Sequence, residues 1–249
     1  MRIPLNKRLF RELRGEFGKY LVIFILMTLT IGMVSGFLVA DGSMIQAYEE
    51  SFEKYSIENG HFRTEKKTNN AQIQDIEDLG IKLYENYYVE EALTNGSTMR
   101  IFKNCDEVNK VCLMKGKMPE KPGEIGIDRM YADNNDLSVG DEIESGGHTW
   151  KITGLVALSD YSALFSNNND SMFDSVKFGV SVVCPEEFDS CKADQLNYSY
   201  AWKYNTEPKN EKAEKDISED LMEDVAKEVT LEEFVPRYTN QAIIFTGDD

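Results

Sequence analysis

Residues 20–40, YLVIFILMTLTIGMVSGFLVA, form 21 consecutive positions without an ionisable side chain. As a helix rising about 1.5 Å per residue, such a run spans roughly 30 Å, the hydrocarbon thickness of a bilayer. Lys19 and Asp41 bound it. A buried core helix and a cleaved signal peptide compete with this reading. The run is longer than the usual core helix or signal region, and Leu38-Val39-Ala40 is a poor cleavage site. The pattern therefore predicts an uncleaved transmembrane anchor. Before it, Leu5, Leu9, Leu13 and Phe17 recur every fourth residue beside Arg8, Arg11 and Arg14, which predicts an interfacial amphipathic helix over residues 1–19. After it, Met44, Ile45, Tyr48 and Phe52 keep helical spacing, so the helix is expected to run on as a stalk.

Further along, the apolar period alternates between that of helices and that of strands. Gly60–Thr64 reads as a strand. Asn69 or Asn70 caps a helix carrying Ile73, Ile76 and Leu79 that stops at Gly80. Lys82–Leu93 reads as one strand, and Thr94-Asn95-Gly96-Ser97 as a hairpin turn into Thr98–Lys103. Short strands and turns follow: Glu124–Asp128, a helical turn or two at Arg129–Asn134, a hairpin joining Asp141–Glu144 to His148–Val156, a tip at Asn167–Asp170, and a buried strand at Gly179–Val183. Helix-like sequence returns at Pro185–Cys191, then a strand at Asn197–Tyr204. An amphipathic helix within Glu207–Val229 carries the stripe Ala213, Ile217, Leu221 and Val225. Ala242–Thr246 reads as a closing strand. The fold class is thus α+β: an α/β part over residues 41–95 and 190–249, interrupted by a β-rich insertion over residues 96–189.

Charge orients the chain. Residues 1–19 hold six basic and two acidic side chains, a net of +4, whereas the whole chain carries −17. Basic flanks stay in the cytoplasm, which places the N-terminus inside and residues 41–249 outside the cell membrane. The acidity of that outer part argues against nucleic acid as a partner. An apolar content of 41% supports a folded core.

Cys105, Cys112, Cys184 and Cys191 form two pairs at C-x6-C spacing. Outside a cell an even count reads as disulfides, and local pairs Cys105–Cys112 and Cys184–Cys191 are expected because each lies beside a turn. Zinc ligation and unpaired thiols are the competing readings; the spacing is looser than a metal knuckle. His61 and His148 sit in expected strands without a helical partner, and read as surface or half-buried side chains. No Walker-type phosphate loop and no nucleophile elbow occurs, so neither a catalytic constellation nor a cofactor or metal site is expected. Thr28, Gly32, Gly36 and Ala40 recur every fourth residue in the span, and such a small-residue face packs helices in lipid.

Several stretches together resemble the extracytoplasmic domain of the MacB/FtsX-like family of ABC-transporter permeases. They are Lys115-Gly116-Lys117-Met118-Pro119, residues 122–128 (PGEIGID), Leu137-Ser138-Val139-Gly140-Asp141, residues 150–156 (WKITGLV) and Asp160-Tyr161-Ser162. Lys117 stands where the family usually has Arg. The resemblance implies a porter-like α/β subdomain, split in sequence by a β-rich one. It also implies a cytoplasmic ABC ATPase subunit as partner, a second permease copy or further membrane spans, and no enzymatic activity in the chain itself. Family permeases carry later spans, so the chain is expected to be a fragment or truncated product. A single-span receptor or adhesion module without an ATPase is the alternative from another class, and an anchored hydrolase a remoter one.

Overall fold

The computed structural model describes residues 14–145 and 147–243. The amphipathic stripe expected at Leu5, Leu9 and Leu13 lies outside the described residues. The chain divides into two compact units, residues 1–50 and 51–249. Helix α1 (Phe17–Lys54) provides the described part of the first unit. Its residues Phe17–Phe37, with mean hydropathy 2.1, are long and apolar enough to cross a membrane. From Tyr20 to Phe37 large apolar side chains are exposed around the helix, a surface suited to lipid rather than water. Thr28 and Thr30 return their hydroxyls to the carbonyls of Phe24 and Leu26, both at 2.8 Å, so neither is unsatisfied in an apolar medium.

The second unit contains two sheets. The smaller is antiparallel, in the order β11-β1-β10-β2, with β1 at Gly60–Thr64, β2 at Ile81–Glu85, β10 at Tyr198–Tyr204 and β11 at Leu231–Pro236. Helices α2 (Asn70–Glu77) and α5 (Glu211–Glu228) pack on it. Asn69 caps α2: its side chain accepts from Ala71 N and Gln72 N, while Gln72 returns a bond to Asn69 N. That reciprocal box satisfies amides the first turn leaves free. The core of the sheet is aromatic. Phe62 stacks on Tyr200 at 5.4 Å, and Trp202 on Phe234 at 4.7 Å. Gly60 lies opposite Trp202, and any Cβ at Gly60 would sit 2.3 Å from the indole. The glycine is what lets the indole lie flat over β1.

The larger sheet runs β3-β4-β9-β6-β8-β5, with β7 on β8. Its strands are β3 (Tyr88–Ala92), β4 (Thr98–Lys103), β5 (Cys112–Gly116), β6 (Glu124–Asp128), β7 (Glu142–Ser145), β8 (His148–Ala157) and β9 (Phe178–Val183). The pairs β4–β9 and β6–β8 are parallel and the others antiparallel. Every residue of the central strand β9 is buried, so FGVSVV reads as a continuous apolar run. Helix α3 (Arg129–Asn134) follows β6, capped by the Asp128 carboxylate on Met130 N and Tyr131 N. Helix α4 (Pro185–Phe188) follows β9. One apolar N-terminal helix is therefore followed by a mixed α/β domain. Its smaller sheet is built from residues 60–85 and 198–236, with the larger sheet, residues 88–183, between them in sequence.

Three sequence expectations need correction. Lys82–Leu93 is not one strand. It breaks at Asn86–Tyr87, and β3 joins the larger sheet rather than the α/β part assigned to residues 41–95. Tyr87 and Tyr88 are both buried, which an uninterrupted strand alternating between a core face and solvent does not allow. The buried stripe of α5 is Glu214, Ser218, Leu221 and Val225, while Ile217 is exposed. Polar anchors turn its N-terminal half: Arg237 reaches Glu214 at 3.4 Å, and the Ser218 hydroxyl lies 3.2 Å from the Tyr238 hydroxyl. The strand that completes the smaller sheet is Leu231–Pro236, not Ala242–Thr246. Residues 241–243 form a turn, and 244–246 lie outside the described residues.

Candidate functional site

The stretches that carry the family resemblance are framework. They surround β5, β6 and β8, where chain segments approach too closely for side chains. A Cβ at Gly154 would stand 2.5 Å from the Lys117 carbonyl oxygen, and one at Gly116, at φ +81°, would stand 2.3 Å from the Thr153 carbonyl oxygen. Both obstacles are backbone and cannot rotate away. Gly140 takes φ 106° in the turn that Asp141 closes by accepting from Ser138 N at 2.8 Å. Lys117 pairs with Glu124 at 3.2 Å. Backbone donation from Glu120, then the Lys117 bond, holds the Glu124 carboxyl below its ordinary range. We expect Gly154→Ala to destabilise the domain by about 1–3 kcal/mol or more, as overpacking does, measurable by chemical denaturation; an unchanged midpoint would refute this account of the motif.

Chemistry gathers instead where the two sheets meet. Among the described residues no strand pairing of consecutive residues joins them, and an isolated bridge, Tyr88 to Asn197, does. Apolar packing also crosses the junction, Tyr87 meeting Tyr198 and Tyr200 edge-on at 5.3 Å, and polar links add to it. Asn86 N donates to Ser199 O at 2.9 Å, Ser162 N to Ala242 O at 2.7 Å, and Gln241 N to Asn168 Oδ1 at 2.9 Å. Arg63 on β1 reaches the Tyr88 hydroxyl at 3.3 Å. These groups border a cleft of about 60 Å³, room for a few water molecules.

His61 and Asp160 line this cleft, and Glu58 and Asn109 are hydrogen-bonded to them. The segment after α1 brings Glu58, fully buried; β1 brings His61; the loop between β4 and β5 brings Asn109; the loop after β8 brings Asp160, 6% exposed. Asn109 takes the left-handed conformation, φ 47°, which asparagine tolerates better than most residues. Its Oδ1 accepts from Glu58 N at 2.9 Å, and its Nδ2 donates both to Glu58 Oε2 at 2.7 Å and to Asp160 Oδ2 at 3.1 Å. His61 Nδ1 lies 2.6 Å from Glu58 Oε1. Asp160 Oδ1 has no hydrogen-bond partner among the described residues. Burial, then the Glu58 carboxylate, pushes the Asp160 carboxyl up to about 7 from 3.8. Burial opposes charge on His61, but Glu58 outweighs it and raises the imidazole above 6.5.

Arg100 forms the opposite wall. Its guanidinium lies 4.4 Å from the Tyr88 ring centroid and 5.0 Å from that of Phe178. It donates to Glu90 Oε1 at 2.6 Å, the Tyr161 hydroxyl at 2.7 Å and Ser166 O at 2.8 Å. Burial disfavours its charge, but Tyr161, Tyr88 and Glu90 outweigh burial, so it stays cationic.

Of the residues singled out in sequence only His61 lies at this cleft; the others lie apart from it. Gly32 and Gly36 have no neighbour within reach of an added Cβ. His148 stacks on Trp150 at 5.9 Å, while His61 is half-buried in the cluster. All four cysteines are free thiols, Cys184 buried and the others half-buried. The Cys112 sulfur accepts from the Tyr55 hydroxyl at 3.3 Å. Burial, then Glu91, Glu187 and Asp189, pushes the Cys191 thiol up. Among the described residues no group of three or more His, Cys, Asp or Glu is arranged to hold a metal ion. Of that cluster, only His61 was weighed from sequence. Glu58, Asn109 and Asp160 are far apart in the chain and carry no shared motif; only Asp160 fell within a quoted stretch.

No family model and no curated protein matches the chain. Among solved structures it is similar to the extracellular domain of the noncanonic ABC-type transporter YknZ from Gram-positive bacteria. That match has a TM-score of 0.37 and 10% identity over 68% of this chain and 92% of that one. It is also similar to the periplasmic region of MacB from Actinobacillus actinomycetemcomitans, with a TM-score of 0.37 and 10% identity over 68% of this chain and 85% of that one.

Proposed function

We propose that this chain is a permease subunit, or part of one, of an ABC-type transporter. The basic N-terminus is cytoplasmic and residues 41–249 lie outside. The outer domain couples conformational change driven by a cytoplasmic ATPase to export or to an outer partner, and performs no chemistry of its own. The observation that carries this reading is the order of parts: one apolar span, a helix continuing beyond it, then a sheet interrupted by a second sheet framed by the family-like glycine motifs. Affinity purification of the full chain from native membranes is expected to bring down an ABC ATPase. A single-span receptor or adhesion module would come without one, and that result overturns the proposal.

Two further expectations rest on this placement. Thr28, Gly32, Gly36 and Ala40 form the small face that seats the span against later spans or a second copy. Gly32→Leu with Gly36→Leu should leave insertion intact and weaken crosslinking between single-Cys variants along the helix; unchanged crosslinking makes the helix a passive anchor. In an oxidising compartment Cys105 pairs with Cys112 and Cys184 with Cys191. Each short loop then contributes on the order of 2–3 kcal/mol. Non-reducing peptide mapping that found only free thiols, or crossed pairs, would exclude this.

A further inference from the structure

We propose that Glu58, His61, Asn109 and Asp160 form a protonation latch between the two sheets, closed while Asp160 holds a proton and loosened when that proton leaves. The geometry carries the argument. One side-chain amide is held between two buried carboxyl groups, with Nδ2 2.7 Å from Glu58 and 3.1 Å from Asp160. A single neutral amide satisfies one oxygen of each group but supplies no positive charge. Burial and the neighbouring Glu58 carboxyl make a second charge on Asp160 costly out of water.

The surrounding charges are already committed. From β1, Arg63 pairs with Glu232 at 3.2 Å and reaches Glu233 of β11 at 4.0 Å. From β4, Arg100 is taken by Glu90 and Tyr161. His61, from β1, is held by Glu58, with Glu233 also favouring its charged form. From the turn between β2 and β3, Asn86 favours the ionised Asp160, yet Asp160 Oδ1 stays unpartnered. When the Asp160 proton departs, the new negative charge has only His61, already held by Glu58, to offset it, and among the described residues no continuous strand ladder crosses the junction to resist the repulsion.

The same residues hold the chain that leaves α1. Asn109 N donates to Ser56 O at 3.1 Å and Lys110 N to Tyr55 O at 2.8 Å. Loosening the latch therefore frees the segment Tyr55–Glu58 from the larger sheet's loop. This inference stands whether or not an ATPase partners the chain.

Hydrogen exchange on the full chain in lipid nanodiscs tests it, with rates corrected for intrinsic pH dependence. Between about pH 5.5 and pH 8, the amides of Glu58, Asn109, Lys110, Ser162 and Ala163 should lose protection by about tenfold, while those of Val180–Val183 in β9 stay protected. Asp160→Asn, which keeps an acceptor for Asn109, should remove most of that loss, leaving the smaller His61 part; Glu58→Gln is the second variant and should also remove most of it. Junction protection that is flat in the unaltered chain overturns the latch. So does a loss shared equally by β9, or a pH response that survives at full size in the substituted chain that folds.

Discussion

Trp202→Ala is expected to cost about 3–5 kcal/mol, the range for emptying a large buried aromatic site. In a domain of this size that lowers the melting temperature by on the order of 10 °C. The indole is fully buried in β10 and stacks on Phe62 and Phe234. Its neighbour across the strand is Gly60, which has no side chain to move into the void. Val235 and Leu83 flank the site from strands that are themselves pinned by backbone bonds. Trp202→Phe, which keeps a stacking ring, should lose less. Calorimetry on the two variants checks both statements; equal losses would mean that stacking is not what holds this sheet.

A second large effect is a fall in stability as pH rises through neutrality. The folded state raises the Asp160 pKa to about 7 from 3.8. It thus binds a proton that the unfolded chain has already released, and that contribution is complete below 3.8 and gone once pH exceeds about 7. His61 acts in the same direction: its raised pKa gives stability that is full below 6.5 and disappears as pH passes the folded value. Glu124 and Asp170 run the other way, since their pKa values are depressed and what they contribute is lost as pH falls through them. The optimum therefore lies on the acid side of neutrality, above the ordinary carboxylate range. Between about pH 5 and pH 8 the loss should be on the order of 2–4 kcal/mol, and Asp160→Asn should remove most of it. A denaturation midpoint that is flat, or that rises with pH, would contradict the assignment.

What could be read from the sequence depended on whether the signal was local. Asn69 as a helix cap, the helical turn at Arg129–Asn134 and Gly96 in its turn each act within a few residues, and each falls where the pattern put it; the Gln72 and Asp128 bonds that complete the caps are as local. The apolar run and the stretch GVSVV needed no partner to be recognised. The break at Asn86–Tyr87 was invisible because it depends on Ser199 and Asn197, more than a hundred positions away. Strand β11 was missed because Glu232 and Glu233 make LEEFVP look polar, although Arg63 neutralises both from the neighbouring strand. The exposed Ile217 and buried Glu214 reflect Arg237, which the helical period of α5 cannot encode. The cluster at the cleft is the extreme case: its four residues come from four separate segments, and none is unusual alone.

The isolated backbone bridge between Tyr88 and Asn197 has a kinetic meaning. It brings the two ends of the larger sheet's sequence side by side. In the smaller sheet Glu85 pairs with Tyr200, a closure that would cost roughly 3 kcal/mol more than a tight hairpin if everything between were loose chain. Once the larger sheet has formed, those ends are already together, and β2 meets β10 as though across a short turn. The sheet in the middle of the chain is therefore expected to form before the one made from its two ends, and pulsed hydrogen exchange should show β9 protected earlier than β10.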